Sequence, residues 1–350
     1  EKYEGCNDYL VLKRPDIIKN IHKKYLEAGS DIIETNSFGA LEIVLKDYDL
    51  EDKVFEMNKR AAELVNEAIA EYRSEHPEVT RNLYVAGALG PSNKSISVTG
   101  GVTFEELINN YYTAVSGLLA GGVDLILFET IQDTRNLKAA YLGLKKAMEE
   151  NYTVPLMLSF TIESTGTTLA GQTADAFYYA VNHMNPFSVG LNCATGPEFM
   201  TQFLKTLNNI SNTYISVYPN AGLPNEDGEY EETPDTLSAK IEPFFQNHYL
   251  NIVGGCCGTT PEHIQRIKEK SVNYEPRVID KNKDFNDVSG LIALETPKDR
   301  PVYVGERTNV IGSRIFKNLI ADEKFDEATE VARLQIKGRA DVIDICLANP

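Results

Sequence analysis

The sequence predicts an α/β protein, specifically a (β/α)8 barrel, on three observations. Short apolar runs alternate with amphipathic helical stretches from residue 30 to about residue 270. The runs are near-continuous in Val, Ile, Leu and Phe, as strands buried on both faces are. They recur roughly every 30–35 residues, a spacing that suits a barrel of about 250 residues. The rival architecture is an open doubly wound sheet, but no Gly-x-Gly-x-x-Gly opens any of the helices.

Seven strands are predicted, at "SDIIETNSF" (30–38), "YVAGALG" (84–90), "VDLILFET" (123–130), "PLMLSFTI" (155–162), "FSVGLNC" (187–193), "YISVYPNAG" (214–222) and "NIVGGCC" (251–257). Ahead of them, residues 14–29 read as a helix whose own strand would precede residue 1, so the first barrel strand is expected to be missing. In 51–72, Val54, Met57, Ala61, Leu64, Val65, Ala68 and Tyr72 share one helical face. In 103–120, Phe104, Leu107, Ile108, Tyr111, Ala114, Val115 and Leu118 do the same, and Thr103 with Glu106 forms a capping box. Thr233-Pro234-Asp235 and Thr260-Pro261-Glu262 each place a cap, a proline and an acid at a helix start.

The texture changes after residue 270, which bounds the first domain at 1–270. Residues 271–300 are polar and irregular, carry Pro276, Pro297 and the patch "DKNKDFND", and are expected to be a linker. Within 301–350, "PVYVGERTNVIGS" reads as a strand and loop, 322–338 as a helix capped by Asp322, and "ADVIDICLA" as a further strand. These residues cannot close a core alone and resemble the opening βαβ fragment of a second barrel.

The net charge of −17 opposes partnership with nucleic acid or an anionic membrane. No apolar run is long enough to span a bilayer, and "EKYEGCNDYL" has no apolar core of a signal peptide. Five cysteines with no export signal suit a reducing, cytoplasmic setting, where clustered thiols mean metal or catalysis before disulfides.

Reactive groups of a barrel sit at the C-terminal ends of its strands. Three of the five cysteines lie at two such ends, Cys193 after the run at 187 and Cys256-Cys257 after the run at 251. Converging on one rim, they would form a three-thiolate zinc site with one open position. Side chains adjacent on a strand point to opposite faces, so the pair needs a sharp turn, which Gly255 and Gly258 are expected to permit. Three thiolates already neutralise the metal charge, so the open position suits an incoming thiol better than hydroxide. A hydrolase is disfavoured because no histidine belongs to the motif set. Cys6 and Cys346 are expected to be packing residues.

The stretches "YLEAGSDIIETNSFGA" (25–40), "GVDLILFET" (122–130), "GLNCATGPE" (190–198), "YPNAG" (218–222) and "GGCCGTTPEHI" (254–264) resemble the homocysteine-binding barrel of the homocysteine S-methyltransferases over nearly all of residues 5–270. "YVGERTNVIGSR" (303–314) and "GRADVIDICLANP" (338–350) are similar to the start of a pterin-binding barrel. That pairing resembles the cobalamin-dependent methionine synthases. The resemblance implies that Cys193, Cys256 and Cys257 hold Zn2+ and that Glu129, Asn36 and Asn220 bind substrate. It implies homocysteine as substrate, with a methyl group from methylcobalamin charged from methyltetrahydrofolate. A cobalamin-binding module of a larger enzyme would be the partner. Asn309 and Asp344 fall in an incomplete pterin site. Two alternatives are a silent or structural-zinc relative and an enzyme using betaine or S-methylmethionine, although relatives of the latter kind lack the second barrel. Two features depart from the pattern: the family's opening strand with its glycine-rich "DGA" turn is absent, and "DICLANP" replaces a "DINMDE"-like stretch.

Overall fold

The computed structural model describes residues 3–281, 283, 288–294, 296 and 299–348. It divides into two compact units, Glu1–Ala293 and Leu294–Pro350.

All seven predicted strands of the first unit form. They are β1 (Ile32–Glu34), β2 (Tyr84–Leu89), β3 (Leu125–Ile131), β4 (Leu156–Phe160), β5 (Ser188–Asn192), β6 (Tyr214–Tyr218) and β7 (Ile252–Val253). Every pairing is parallel and the spatial order follows the chain order. A doubly wound sheet would reverse that order at a switch point; this sheet never does, and it curls as a TIM-type barrel does.

Helix α1 (Pro15–Glu27) precedes β1. Then α2 (Val54–Glu75), α3 (Phe104–Ala120), α4 (Thr134–Glu150), α5 (Ala174–Val181), α6 (Pro197–Ile210), α7 (Pro234–Gln246) and α8 (Pro261–Ser271) each follow a strand, short helical turns apart. Their starts are chemically marked. Thr103 and Glu106 form the capping box of α3, and Thr233 caps α7 with Thr236 as its partner. At α8 the reciprocal partner is a histidine, with the Thr260 N–H donating to His263 Nδ1 at 3.1 Å.

Strand alternation sorts side chains into two layers. Val85, Leu89, Ile126, Phe128, Leu158, Phe160, Val189, Leu191, Ile215 and Val217 face the helices and form one core with them. Each such burial contributes about 1.5–3 kcal/mol. Ala86, Ala88, Leu125, Leu127, Met157 and Tyr218 line the barrel interior. Close approach of β5 and β6 needs a glycine: a Cβ on Gly190 would lie 1.9 Å from the Ser216 carbonyl oxygen.

The sheet is open at one seam, because β1 pairs only with β2 and β7 only with β6. A cavity of about 780 Å³ fills the gap between the two edges, lined by His22 and Tyr25 of α1, Ile267 and Lys268 of α8, and the interior of the sheet.

The first unit continues past residue 270. Arg277 is buried. Its guanidinium donates to Asn208 Oδ1 (2.8 Å) and to the carbonyls of Thr213 (2.8 Å) and Ser211 (2.6 Å). Its own N–H donates to the Leu250 carbonyl at 2.9 Å. Ser289, Gly290 and Leu291 bond to the start of α5 and the residues before it. Most of the charged patch at 280–287 lies outside the described residues.

The second unit contains β8 (Val304–Asn309), α9 (Arg314–Ala321), α10 (Phe325–Lys337) and β9 (Val342–Cys346), with β8 and β9 parallel. Asp322 does not cap the long helix as the sequence suggested. It ends α9, its N–H donating to the Asn318 carbonyl at 2.9 Å, and Glu323 then turns through a left-handed conformation. The helix expected over 322–338 forms as α10, starting three residues later at Phe325, and α9 is a further helix that the sequence reading did not assign.

Candidate metal centre

The sulfur atoms of Cys193, Cys256 and Cys257 lie within 4.8 Å of one another, a grouping found among the described residues. Cys193 Sγ is 3.7 Å from Cys257 Sγ, and Cys256 Sγ is 3.9 Å from Cys257 Sγ. A tetrahedral ion with Zn–S bonds of about 2.3 Å separates its sulfurs by roughly 3.8 Å. These separations therefore fit one ion held by three thiolates. The donor set is all sulfur, which selects a soft cation over Mg2+ or Ca2+.

The two halves of the centre are made differently. By alternation, Gly190 and Asn192 of β5 face the interior, so Cys193 would turn outward to the helices. It does not, because Cys193 and Ala194 both adopt left-handed backbone, with φ of 61° and 57°. Each such non-glycine residue costs about 1–3 kcal/mol unless its surroundings enforce it. The enforcement is visible. The Cys193 N–H donates to the Tyr218 carbonyl (3.1 Å) and the Thr195 N–H to the Cys193 carbonyl (2.7 Å). Buried Asn192 holds the strand end from below. Its Oδ1 accepts from the Thr130 N–H (2.9 Å) and Ser159 Oγ (2.6 Å). Its Nδ2 donates to Thr130 Oγ1 (2.8 Å) and leans on Cys256 Sγ at 3.9 Å. Thr130 is itself left-handed, with φ of 53°.

Cys256 and Cys257 follow a strand of two residues. Their loop is held from β6: the Cys256 N–H donates to the Pro219 carbonyl (2.9 Å) and the Ala221 N–H to the Cys257 carbonyl (2.9 Å). Asn220 Oδ1 accepts from the Cys257 N–H at 3.2 Å. Of the two flanking glycines only Gly258 has positive φ, at 78°. Gly255 serves differently from the expectation: a Cβ there would lie 2.4 Å from Thr259 Cγ2. It makes room, and Gly258 makes the turn.

Without a cation the three thiols oppose one another's ionisation. Hydrogen bonds from Cys193 and Cys256 hold the Cys257 thiol well below its ordinary range, and the same contacts push the Cys256 thiol up. Three adjacent thiolates require a positive charge among them.

Glu129 continues the inward series of Leu125 and Leu127, and Glu34 is the inward residue at the end of β1. Both line the cavity together with Asn36, Tyr218 and Cys256. Burial pushes the Glu129 carboxyl well above its usual value, with Glu34 and then Cys257 adding to the effect. Glu34 is accessible by way of the cavity, and enclosure by the cavity walls raises its carboxyl to about 7. Asn36 Nδ2 donates to the Asn7 carbonyl at 3.0 Å while its side chain borders the cavity. Cys6 is buried among core residues, and Cys346 lies on β9 opposite Asn309. The sequence reading assigned no role to Asn192, Thr130 or Glu34, although all three stand at the strand ends it inspected. Inward parity marks Asn192 and Glu34, whereas Thr130, next to inward Glu129, is out of parity and is marked by nothing in the sequence.

No helix among the described residues is long and apolar enough to cross a membrane. The family model described as homocysteine S-methyltransferase matches residues 1–271. Among solved structures, the fold is similar to the homocysteine methyltransferase MmuM from Escherichia coli. Its oxidized form matches with 23% identity and a TM-score of 0.64, covering 76% of this chain and 88% of that one. Its metallated form matches with 24% identity and a TM-score of 0.63, covering 75% and 87%. With its sulfur rim and parallel sheet, and with the family match spanning the whole of that barrel, the chain belongs to the homocysteine S-methyltransferase family.

Proposed function

We propose that this chain is the homocysteine-activating part of a cobalamin-dependent methionine synthase, with Zn2+ held by Cys193, Cys256 and Cys257. The observation that carries the reading is the meeting of three sulfurs from the ends of strands β5 and β7 within 4.8 Å of one another, two of the separations being 3.7 and 3.9 Å. Bound zinc would lower the pKa of an incoming thiol and keep it a thiolate at neutral pH. The homocysteine sulfur then takes the methyl group, giving methionine, while the donor keeps the bonding pair. The chain's own residues bind and orient. Glu129 and the cavity beside it suit the substrate's α-ammonium: an unpaired inward carboxyl is driven toward its neutral form, and an arriving cation favours the charged form again. Asn220 fixes the Cys257 backbone, and Asn36 borders the same cavity.

The domain reading is a homocysteine barrel over 1–270, a connecting stretch over 271–300 and a pterin-barrel fragment over 301–350. The parallel βαβ arrangement of β8 and β9 supports the last of these. It favours methylcobalamin charged from methyltetrahydrofolate over betaine or S-methylmethionine as donor, and a cobalamin-binding module as partner.

The test is zinc content and homocysteine-dependent proton release, with Cys257→Ala as the control. One zinc per chain, proton release on adding homocysteine and loss of both in the variant support the reading. Stoichiometric zinc to which homocysteine never binds would make the metal structural and overturn it.

A further inference from the structure

The chain beyond α8 comes back to the barrel at a second place. Ser289 Oγ donates to the Ala176 carbonyl at 2.7 Å, and the Thr173 N–H donates to the Leu291 carbonyl at 3.0 Å. Residues 289–291 thus lie on the start of α5, which follows the C-terminal end of β4. Leu291 and Ile292 are 60% and 71% exposed, so hydrogen bonds rather than burial hold this strap. A segment held that way belongs to the low-stability end of a fold.

Gln172 joins the strap to the barrel. Its side chain is buried. Its Nε2 donates to the Gly290 carbonyl at 3.1 Å, and its Oε1 accepts from Thr134 Oγ1 at 2.8 Å. Released from Gly290, the amide would be left with a buried donor unpaired, and the turn that satisfies it would disturb the bond to Thr134. Thr134 is the first residue of α4, and this helix start carries one wall beside Glu129. Asp133 accepts from Ser95 Oγ (2.6 Å), the Ser97 N–H (2.9 Å) and Ser97 Oγ (3.1 Å). Asn136 Oδ1 accepts from the Ile96 N–H (2.9 Å), and its Nδ2 donates to the Lys94 carbonyl (2.7 Å). These bonds hold the loop after β2 next to Glu129, where Ser92, Lys94, Ser95, Asp133 and Asn136 enclose with it a small cavity of about 30 Å³. A second tie runs the same way, the Ala170 N–H donating to the Gln132 carbonyl at 3.1 Å. The strap and one wall of the Glu129 pocket are fastened to the same helix start.

We propose that Gln172 is a positioning residue that couples docking of the strap to homocysteine binding at Glu129. The docked strap holds the amide, the amide holds Thr134, and the ordered start of α4 holds the loop against Glu129. Undocking loosens that wall and weakens homocysteine binding. Linkage is reciprocal, so bound homocysteine also tightens the strap. The proposal rests on the reading of homocysteine as the substrate of this rim.

The experiment compares wild type, Gln172→Leu and Ser289→Ala as zinc-loaded full chains, each checked for its fold by circular dichroism. Calorimetry gives the homocysteine affinity. Hydrogen exchange of the Thr173 amide, which bonds to Leu291, reports docking of the strap. Homocysteine should slow that exchange in wild type. Gln172→Leu should exchange faster, stop responding to homocysteine and bind it roughly three- to tenfold more weakly, with zinc still at one per chain. Ser289→Ala leaves Gln172 intact, so it should show the same two changes to a smaller degree and still respond to homocysteine. If Gln172→Leu does not fold, Ser289→Ala decides, because its exchange and its affinity must move together. Faster Thr173 exchange with unchanged homocysteine affinity would overturn the coupling, as would wild-type exchange indifferent to homocysteine. A zinc-loaded wild type that binds no homocysteine defeats the substrate reading itself, and the coupling falls with it.

Discussion

The two sides of the sulfur centre hold their cysteines by opposite means. Cys193 ends a fully buried five-residue strand paired on both sides, and is twisted into a left-handed conformation by a buried polar network. Cys256 and Cys257 follow a two-residue strand on the sheet edge, beside the open seam, and are tethered by backbone bonds to the neighbouring loop. One side is an anchor whose strain is set by folding; the other is a loop fitted to it. A metal site built this way needs accurate geometry on only one side, because the other can move the short distance required to close it.

The largest expected effect breaks the anchor. Asn192→Ala strands the Thr130 N–H and Ser159 hydroxyl in a buried place, at a cost of about 3 kcal/mol. Urea denaturation should register that loss, and zinc content should fall well below one per chain. Unchanged stability would mean that the network does not support Cys193.

The loop side should be gentler. Asn220→Ala removes one hydrogen bond to the Cys257 backbone, worth about 1 kcal/mol. The fold should survive with nearly the same melting temperature, while zinc affinity drops about tenfold. Competition with a chromophoric chelator measures this. An affinity loss as large as that of Asn192→Ala would erase the distinction between the sides.

The smallest effect lies across the seam. Glu34 is accessible through the cavity, and enclosure by its walls raises the carboxyl from 4.5 to about 7, so its contribution to stability is complete below the unfolded value and is lost as pH rises through the folded one. The group opens onto the cavity, so solvent limits the effect to on the order of 1–2 °C. Between about pH 5 and pH 8, wild type should lose that much melting temperature relative to Glu34→Gln. A parallel pH profile for the two proteins would place the Glu34 carboxyl in ordinary water.

The sheet was legible in the sequence because strands buried on both faces are written as uninterrupted apolar runs, and all seven were found. The sulfur set was legible because cysteines are few and stood at strand ends. The conformation that brings them together was not. Left-handed backbone at Cys193, Ala194 and Thr130 is imposed by partners distant in the chain, and none of the three residue types signals it. Gly255 and Gly258 look alike as letters, yet one yields space and the other a dihedral. Asn192 is a single polar letter at the end of an apolar run, and its importance comes from Thr130 and Ser159, which reach it only once the sheet is formed. The start of α10 was read three residues early because Glu323, an ordinary helix former, occupies the left-handed turn ahead of it.

Arg277 sets how the chain leaves the barrel. Its bonds go to the end of α6 and to residues just ahead of β6 and β7, the pole opposite the cysteines. A tug on the chain within this unit first meets the bonds of Ser289, Gly290 and Leu291 to the start of α5, and then a guanidinium staked into four acceptors, before it reaches any strand.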